Sequence, residues 1–195
     1  VGIDVIVTTW GSDEWKARGI ATALRNAGHF HHIDNTTISA GAARNHAVEM
    51  IDPQDWICFL DADDHLGMFY KQRMWDRIER HNDPMALFAP ALQLGHRDAR
   101  CLDDRDIING HNPCPIGTLI HRSIFDLIGG FGDEPAWEDF AMFQRAVLIG
   151  AEIQFVPGAI YIAADNPRGR NSTVRNPKWL RRQIQADNQR WLKGR

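Results

Sequence analysis

Residues 56–64, WICFLDADD, run five apolar side chains straight into three aspartates, Asp61, Asp63 and Asp64. An apolar run this short, with no helical period, fits a buried strand of a parallel sheet. Three carboxylates crowded at a strand end repel one another and resist desolvation unless a cation sits among them. Mg²⁺ or Mn²⁺ suits such a place, because these ions prefer oxygen ligands and take one or two carboxylates beside water and substrate phosphates. The alternative is that Asp63 and Asp64 merely cap the helix that follows.

Working back toward the amino end, the pattern alternates. Residues 1–9 (VGIDVIVTT) form a strand, and a helix capped by Ser12 or Asp13 is predicted to run to about Gly28. Residues 30–34 are a short strand and 40–51 a second helix. A β-α-β-α-β run of this kind predicts an α/β fold, a mostly parallel sheet with helices on both faces. Ligands of such sheets bind beyond the carboxyl ends of the strands. Thr8, Thr9, Trp10, Asp34 and Asp61 to Asp64 all fall there.

Toward the carboxyl end the pattern loosens. A helix is predicted over 68–81, shorter strands over 87–94, 100–102 and 116–121, and a helix over 122–128 closed by Gly129 and Gly130. A helix over 137–149, strands over 153–156 and 160–163, a mobile loop over 165–176 and a terminal helix over 177–192 complete the reading.

Bulk properties narrow the class. The 195 residues suffice for one well-buried domain, and no run approaches the roughly 18 apolar residues of a membrane span. Cys58, Cys101 and Cys114 are odd in number and lack zinc-ligand spacing, so a reducing, cytoplasmic setting is expected. The net charge of -3 hides an asymmetry: residues 165–195 hold nine Lys/Arg against two Asp/Glu, leaving the rest at 13 - 23 = -10. Such a tail either folds over an anionic ligand or is a solvated face beside an acidic body.

Two further places carry chemistry. Arg44 opens the second helix, where its planar fork suits a nucleobase carbonyl or a phosphate. Glu138 and Asp139 occupy the first turn of the helix over 137–149, where the helix dipole keeps a carboxylate ionised. That state suits a general base, and equally a carboxylate present for the dipole alone. Trp10 and Trp137 are the best-placed tryptophans for stacking a sugar; His111, Asn112 and Cys114 read as a polar surface loop.

Taken in order, the segments 5–15 (VIVTTWGSDEW), 31–34 (HHID), 39–51 (SAGAARNHAVEMI), 56–66 (WICFLDADDHL), 117–133 (GTLIHRSIFDLIGGFGD) and 137–157 (WEDFAMFQRAVLIGAEIQFVP) resemble the successive signatures of glycosyltransferase family 2. The resemblance covers most of residues 3–163. It implies a GT-A type, Rossmann-like mixed sheet and an inverting sugar transfer from a nucleoside-diphosphate sugar, a UDP-sugar by family frequency, to an acceptor hydroxyl. It also implies a divalent metal, Mn²⁺ or Mg²⁺. By similarity, Thr8, Thr9, Trp10 and Asp34 line the nucleoside pocket, with Arg44 near the base or diphosphate. Asp61 lies near the ribose and the metal, Asp63 holds the metal, and Asp139 deprotonates the acceptor with Glu138 in reserve. Arg168 and Arg170 contact the diphosphate from a closing loop.

Within one domain over 1–195, the resemblance assigns 1–66 to the nucleotide, 67–163 to acceptor and catalysis, and 164–195 to a basic loop and helix. The chain departs from the family where Asp34-Asn35-Thr36-Thr37 replaces paired aspartates with glycine and serine, and where residues 161–166 (YIAADN) lack the family's arginine and histidine. The acceptor is open between a glycan, a lipid-linked intermediate, a protein and a modified nucleic acid.

Three rivals remain. A haloacid-dehalogenase-type phosphotransfer enzyme would use Asp61 as nucleophile, but expects the motif near the start of its domain. A nucleotidyltransferase expects a glycine-rich basic loop where this chain has the acidic 8–14 (TTWGSDE). A nucleotide-sugar-binding module without turnover would share the fold.

Overall fold

The computed structural model describes residues 2–35, 37–81, 83–99, 107–108, 110–164 and 174–195. In chain order the elements are β1 (Ile3–Trp10), α1 (Asp13–Arg25), β2 (His29–Ile33), α2 (Ala40–Ile51), β3 (Trp56–Leu60), β4 (His65–Leu66), α3 (Tyr70–His81), β5 (Ala86–Leu94), β6 (Ile120–His121), α4 (Arg122–Leu127), α5 (Glu138–Leu148), β7 (Glu152–Ala163) and α6 (Pro177–Lys193).

The five apolar residues of β3 are all buried, as a strand covered on both faces requires. β3 pairs in parallel with β1, which pairs in parallel with β2, and β6 joins β3 antiparallel. β7 lies between β5, parallel to it, and β4, antiparallel. Backbone hydrogen bonds in both directions between Phe88 and Leu119, 3.2 and 3.0 Å, stitch the two groups together. The result is an open mixed α/β sheet flanked by helices, the class expected from the alternating first half.

Boundaries shift where backbone chemistry outweighs pattern. α1 ends at Arg25 rather than Gly28, because Ala27 takes a left-handed turn (φ 46°) and the Gly28 amide donates back to the Ala23 carbonyl. The strand expected over 116–121 shrinks to Ile120–His121. The two strands expected over 153–156 and 160–163 are one: β7 runs through Pro157, and the register steps from Pro90↔Val156 to Ala91↔Ile160, so residues 157–159 bulge out. A proline has no ladder donor, which makes the bulge its natural place. The strand expected over 100–102 lies outside the described residues.

The core around β3 is aromatic. Phe59 meets Phe125 and Phe131 at ring-centroid distances of 5.7 and 4.8 Å. Phe131 is held by Asn45 of α2, whose side chain donates to its carbonyl and accepts from its amide, both at 2.9 Å. This clamp demands glycine beforehand: Gly130 has φ 66°, and a Cβ there would lie 2.5 Å from Asn45 Oδ1. It brings the amino end of α2 against the approach to α5. Among the described residues no helix is long and apolar enough to cross a membrane.

Candidate active site at the carboxyl ends of the strands

Parallel pairing carries the residues singled out in sequence to one edge. Trp10 pairs with Ile33, so Asp34 follows beside the end of β1, and Val7 pairs with Leu60, so Asp61 emerges next to Thr8. The Thr8 and Thr9 side chains point to opposite faces and are almost fully buried. Thr9 Oγ1 hydrogen-bonds His32 Nδ1 at 2.9 Å, whereas Thr8 Oγ1 is buried without a hydrogen-bond partner. Asp34 is exposed, 3.1 Å from His32 Nε2.

The three aspartates after β3 have three different surroundings. Asp64 is buried: Tyr161 donates to one carboxylate oxygen at 2.5 Å and the Ala164 amide to the other at 2.8 Å. Burial, helped by Asp61, pushes its carboxyl up to about 7. It therefore ties the cluster to β7 rather than capping α3. Asp63 borders a cleft of about 500 Å³ lined by Arg18, Thr22, Arg25, His65 and Ala164. Asp61 turns toward α2, where one oxygen receives Arg44.

Arg44 lies at the centre of the arrangement. Its side chain is 93% buried; one terminal nitrogen donates to Asp61 and the other to Glu138, each at 2.5 Å. Burial opposes the charge, but Asp61 and Glu138 outweigh that effect and raise the arginine above its ordinary range. The fork expected to reach a base or diphosphate is thus engaged by two carboxylates, and Phe131 lies 5.3 Å beneath it. Across 94 residues of sequence, Arg44 joins the end of β3 to the start of α5.

Glu138, expected as the reserve base, is buried in that ion pair. Asp139 is partly exposed and accepts from Asn112 Nδ2 at 3.3 Å and from the Phe140 amide at 2.8 Å. Desolvation, then the adjacent Glu138 charge, pushes its carboxyl up to about 7. The two neighbouring carboxylates thus have different surroundings: Glu138 lies in the buried ion pair with Arg44, and the Asp139 carboxyl is raised toward neutrality. Trp137 presents both from a left-handed backbone (φ 57°), a strained conformation for a bulky side chain.

Asn112, read from sequence as a surface-loop residue, instead reaches Asp139 across 27 residues of sequence. Arg168 and Arg170 lie outside the described residues. Among the described residues no group of three or more His, Cys, Asp or Glu side chains could enclose a metal. Asp63 on its cleft and Asp61 against Arg44 are two carboxylates at the end of β3 with separate surroundings.

No protein-family model matches this chain, and no curated protein is similar to it in sequence. Solved structures do match. A fragment of TarS from S. aureus in complex with UDP-GlcNAc superposes with a TM-score of 0.69 at 14% identity, covering 98% of this chain and 70% of that one. The same fragment with UDP gives 0.67 at 14% identity, covering 96% and 65%. GalNAc-T7 with UDP, GalNAc and Mn²⁺ gives 0.58 at 10% identity, covering 83% and 43%. Against a longer TarS chain, this chain spans 37% of the length. At such identities the likeness establishes the fold, and the fold is the GT-A-like one of these glycosyltransferases.

Proposed function

We propose that this chain is a metal-dependent, inverting glycosyltransferase that moves a sugar from a nucleoside-diphosphate sugar to an acceptor hydroxyl, with Asp139 as the general base. One observation carries the reading: the Arg44 bridge holds the aspartates after β3 and the start of α5 in one assembly. A donor leaving group and an acceptor base must meet across such a site. The neighbours with UDP-GlcNAc and UDP support a uridine nucleotide, and the one with Mn²⁺ supports a divalent metal.

In this reading Trp10 and Asp34 border the nucleoside at the ends of β1 and β2. Asp63 and Asp61 would hold Mn²⁺ or Mg²⁺, which supplies positive charge against the departing diphosphate. Asp139 takes the proton of the attacking hydroxyl. Asn112 and the Phe140 amide orient that carboxylate, and buried Glu138 raises its basicity. Arg44 acts as a positioning residue that keeps Asp61 and Glu138 apart at a set distance. The family 2 assignment and the division into 1–66, 67–163 and 164–195 belong to the same proposal.

The test is calorimetric titration of UDP, GDP and dTDP with and without Mn²⁺, repeated on Asp63→Ala. Metal-dependent binding of one nucleotide, lost in the variant, is the expected result. Absence of binding for every nucleotide under every metal condition would overturn the reading.

A further inference from the structure

A second cavity lies beyond the α5 start. It measures about 430 Å³, within the roughly 300–1,000 Å³ of small-molecule clefts, and is lined by Pro135, Ala136, Val174, Arg175, Trp179 and Leu180. Trp179 is 58% exposed at this cavity, although a tryptophan with no partner is ordinarily covered. Ala136 precedes Asp139 by three residues, so the cavity wall is within about 11 Å of the Asp139 backbone by the reach of the chain. The two are also joined physically, because the Arg181 guanidinium of α6 lies 4.9 Å over the ring of Trp137.

The surroundings are cationic. From 174 to 195 the chain has seven Lys/Arg and one acidic residue, Asp187. Arg175, Lys178 and Arg182 are exposed and form no ion pair with a described residue. Arg175 lines the cavity just ahead of the Asn176 cap of α6, and Arg182 lies three positions after Trp179 on the helix, within one turn of it. An apolar wall with an open indole beside free guanidinium groups suits a ring with one apolar face and an anionic substituent. α6 is held for this role by a buried polar contact, in which Asn188 donates to the Ala141 carbonyl at 3.1 Å and to Gln144 Oε1 at 2.8 Å.

We infer that this cavity is an acceptor subsite for an acidic glycan, which stacks a sugar on Trp179 and pairs its carboxylate, sulfate or phosphate with Arg175 and the α6 cations. The inference rests on the transferase reading for its acceptor role. It is independent of that reading as a binding site.

The test is calorimetric titration of the whole chain with tetragalacturonate, a heparin tetrasaccharide, maltotetraose and a single-stranded oligonucleotide, on wild type, Trp179→Ala and Arg175→Gln, with UDP and Mn²⁺ titrated into each. Expected are binding of an acidic tetrasaccharide at least tenfold tighter than maltotetraose, weakening with salt, and a tenfold or larger loss in Trp179→Ala with UDP affinity unchanged. The two acidic probes separate carboxylate from sulfate recognition. Equal binding of maltotetraose, tighter binding of the oligonucleotide, or unaltered affinity in both variants would overturn the inference. Trp179 is mostly exposed, so its replacement leaves the fold intact, and unchanged UDP binding verifies this. If UDP binds nowhere but tetragalacturonate binds through Trp179, the subsite stands and the transferase reading falls; the reverse pattern removes the subsite alone.

Discussion

The edge formed by β1, β2 and β3 and the edge formed around α5 reach the same site by different routes. At the first, parallel pairing alone sets the positions: Asp61 emerges beside Thr8 on one side of β1, and Asp34 follows the Trp10–Ile33 pair on the other. At the second, Asp139 arrives through a strained Trp137, a glycine turn clamped by Asn45, and an arginine that spans from α2. The first edge should therefore tolerate loss of one side chain, whereas the second depends on a few buried polar contacts that have no substitute.

The largest effect is expected for Asp139→Asn. If Asp139 is the base, kcat falls by about 10²–10⁴-fold while nucleotide affinity measured by calorimetry stays the same. Arg44→Met comes next. It leaves Glu138 charged and buried without its arginine partner, a loss of about 3–5 kcal/mol. For a chain of this size that lowers Tm by roughly 6–20 °C, read by scanning calorimetry. An intact Tm would mean that the second edge does not hang on Arg44.

Tyr161→Phe probes the first edge. It removes the donor to buried Asp64 and should cost about 1–3 kcal/mol in urea unfolding, less than Arg44→Met, because the Ala164 amide remains.

The second edge should also respond to pH through Asp139. The Asp139 carboxyl is raised in the folded chain to about 7, against about 3.9 when unfolded. Between these values the native state binds more protons, so this group's contribution to stability is complete below about pH 4 and is lost as pH rises through 7. Activity moves oppositely, with kcat/KM rising toward a plateau above about pH 7. Asp139→Asn should flatten both dependences. The smallest effect expected is for Glu14→Gln, which removes an exposed helical ion pair with Arg18 and should change stability by no more than about 0.5 kcal/mol.

Much of the first half was legible in order. The ranges 40–51 and 56–60 coincide with α2 and β3, because a buried strand and a capped helix are written in local chemistry: five apolar residues in one case, Ser39 accepting from the Ala42 amide in the other. The second half was less legible. β6 keeps two residues of the six expected, and β7 is one strand where a break was expected, because a bulge at Pro157 looks locally like an end.

The alternating frame, the strand-end placement of Asp61 and Asp63, and the start of α5 to within one residue were written in the sequence; each follows from periodicity over a few residues. Tertiary structure alone decided that Arg44 is a buried bridge, that Asp64 belongs to Tyr161, that Asn112 reaches Asp139, and that Trp179 opens onto a cavity shared with Ala136. The side-chain contacts among these join residues 17 to 97 positions apart. Local pattern sets where a side chain leaves the backbone, but its partner is chosen by the packing of the whole sheet.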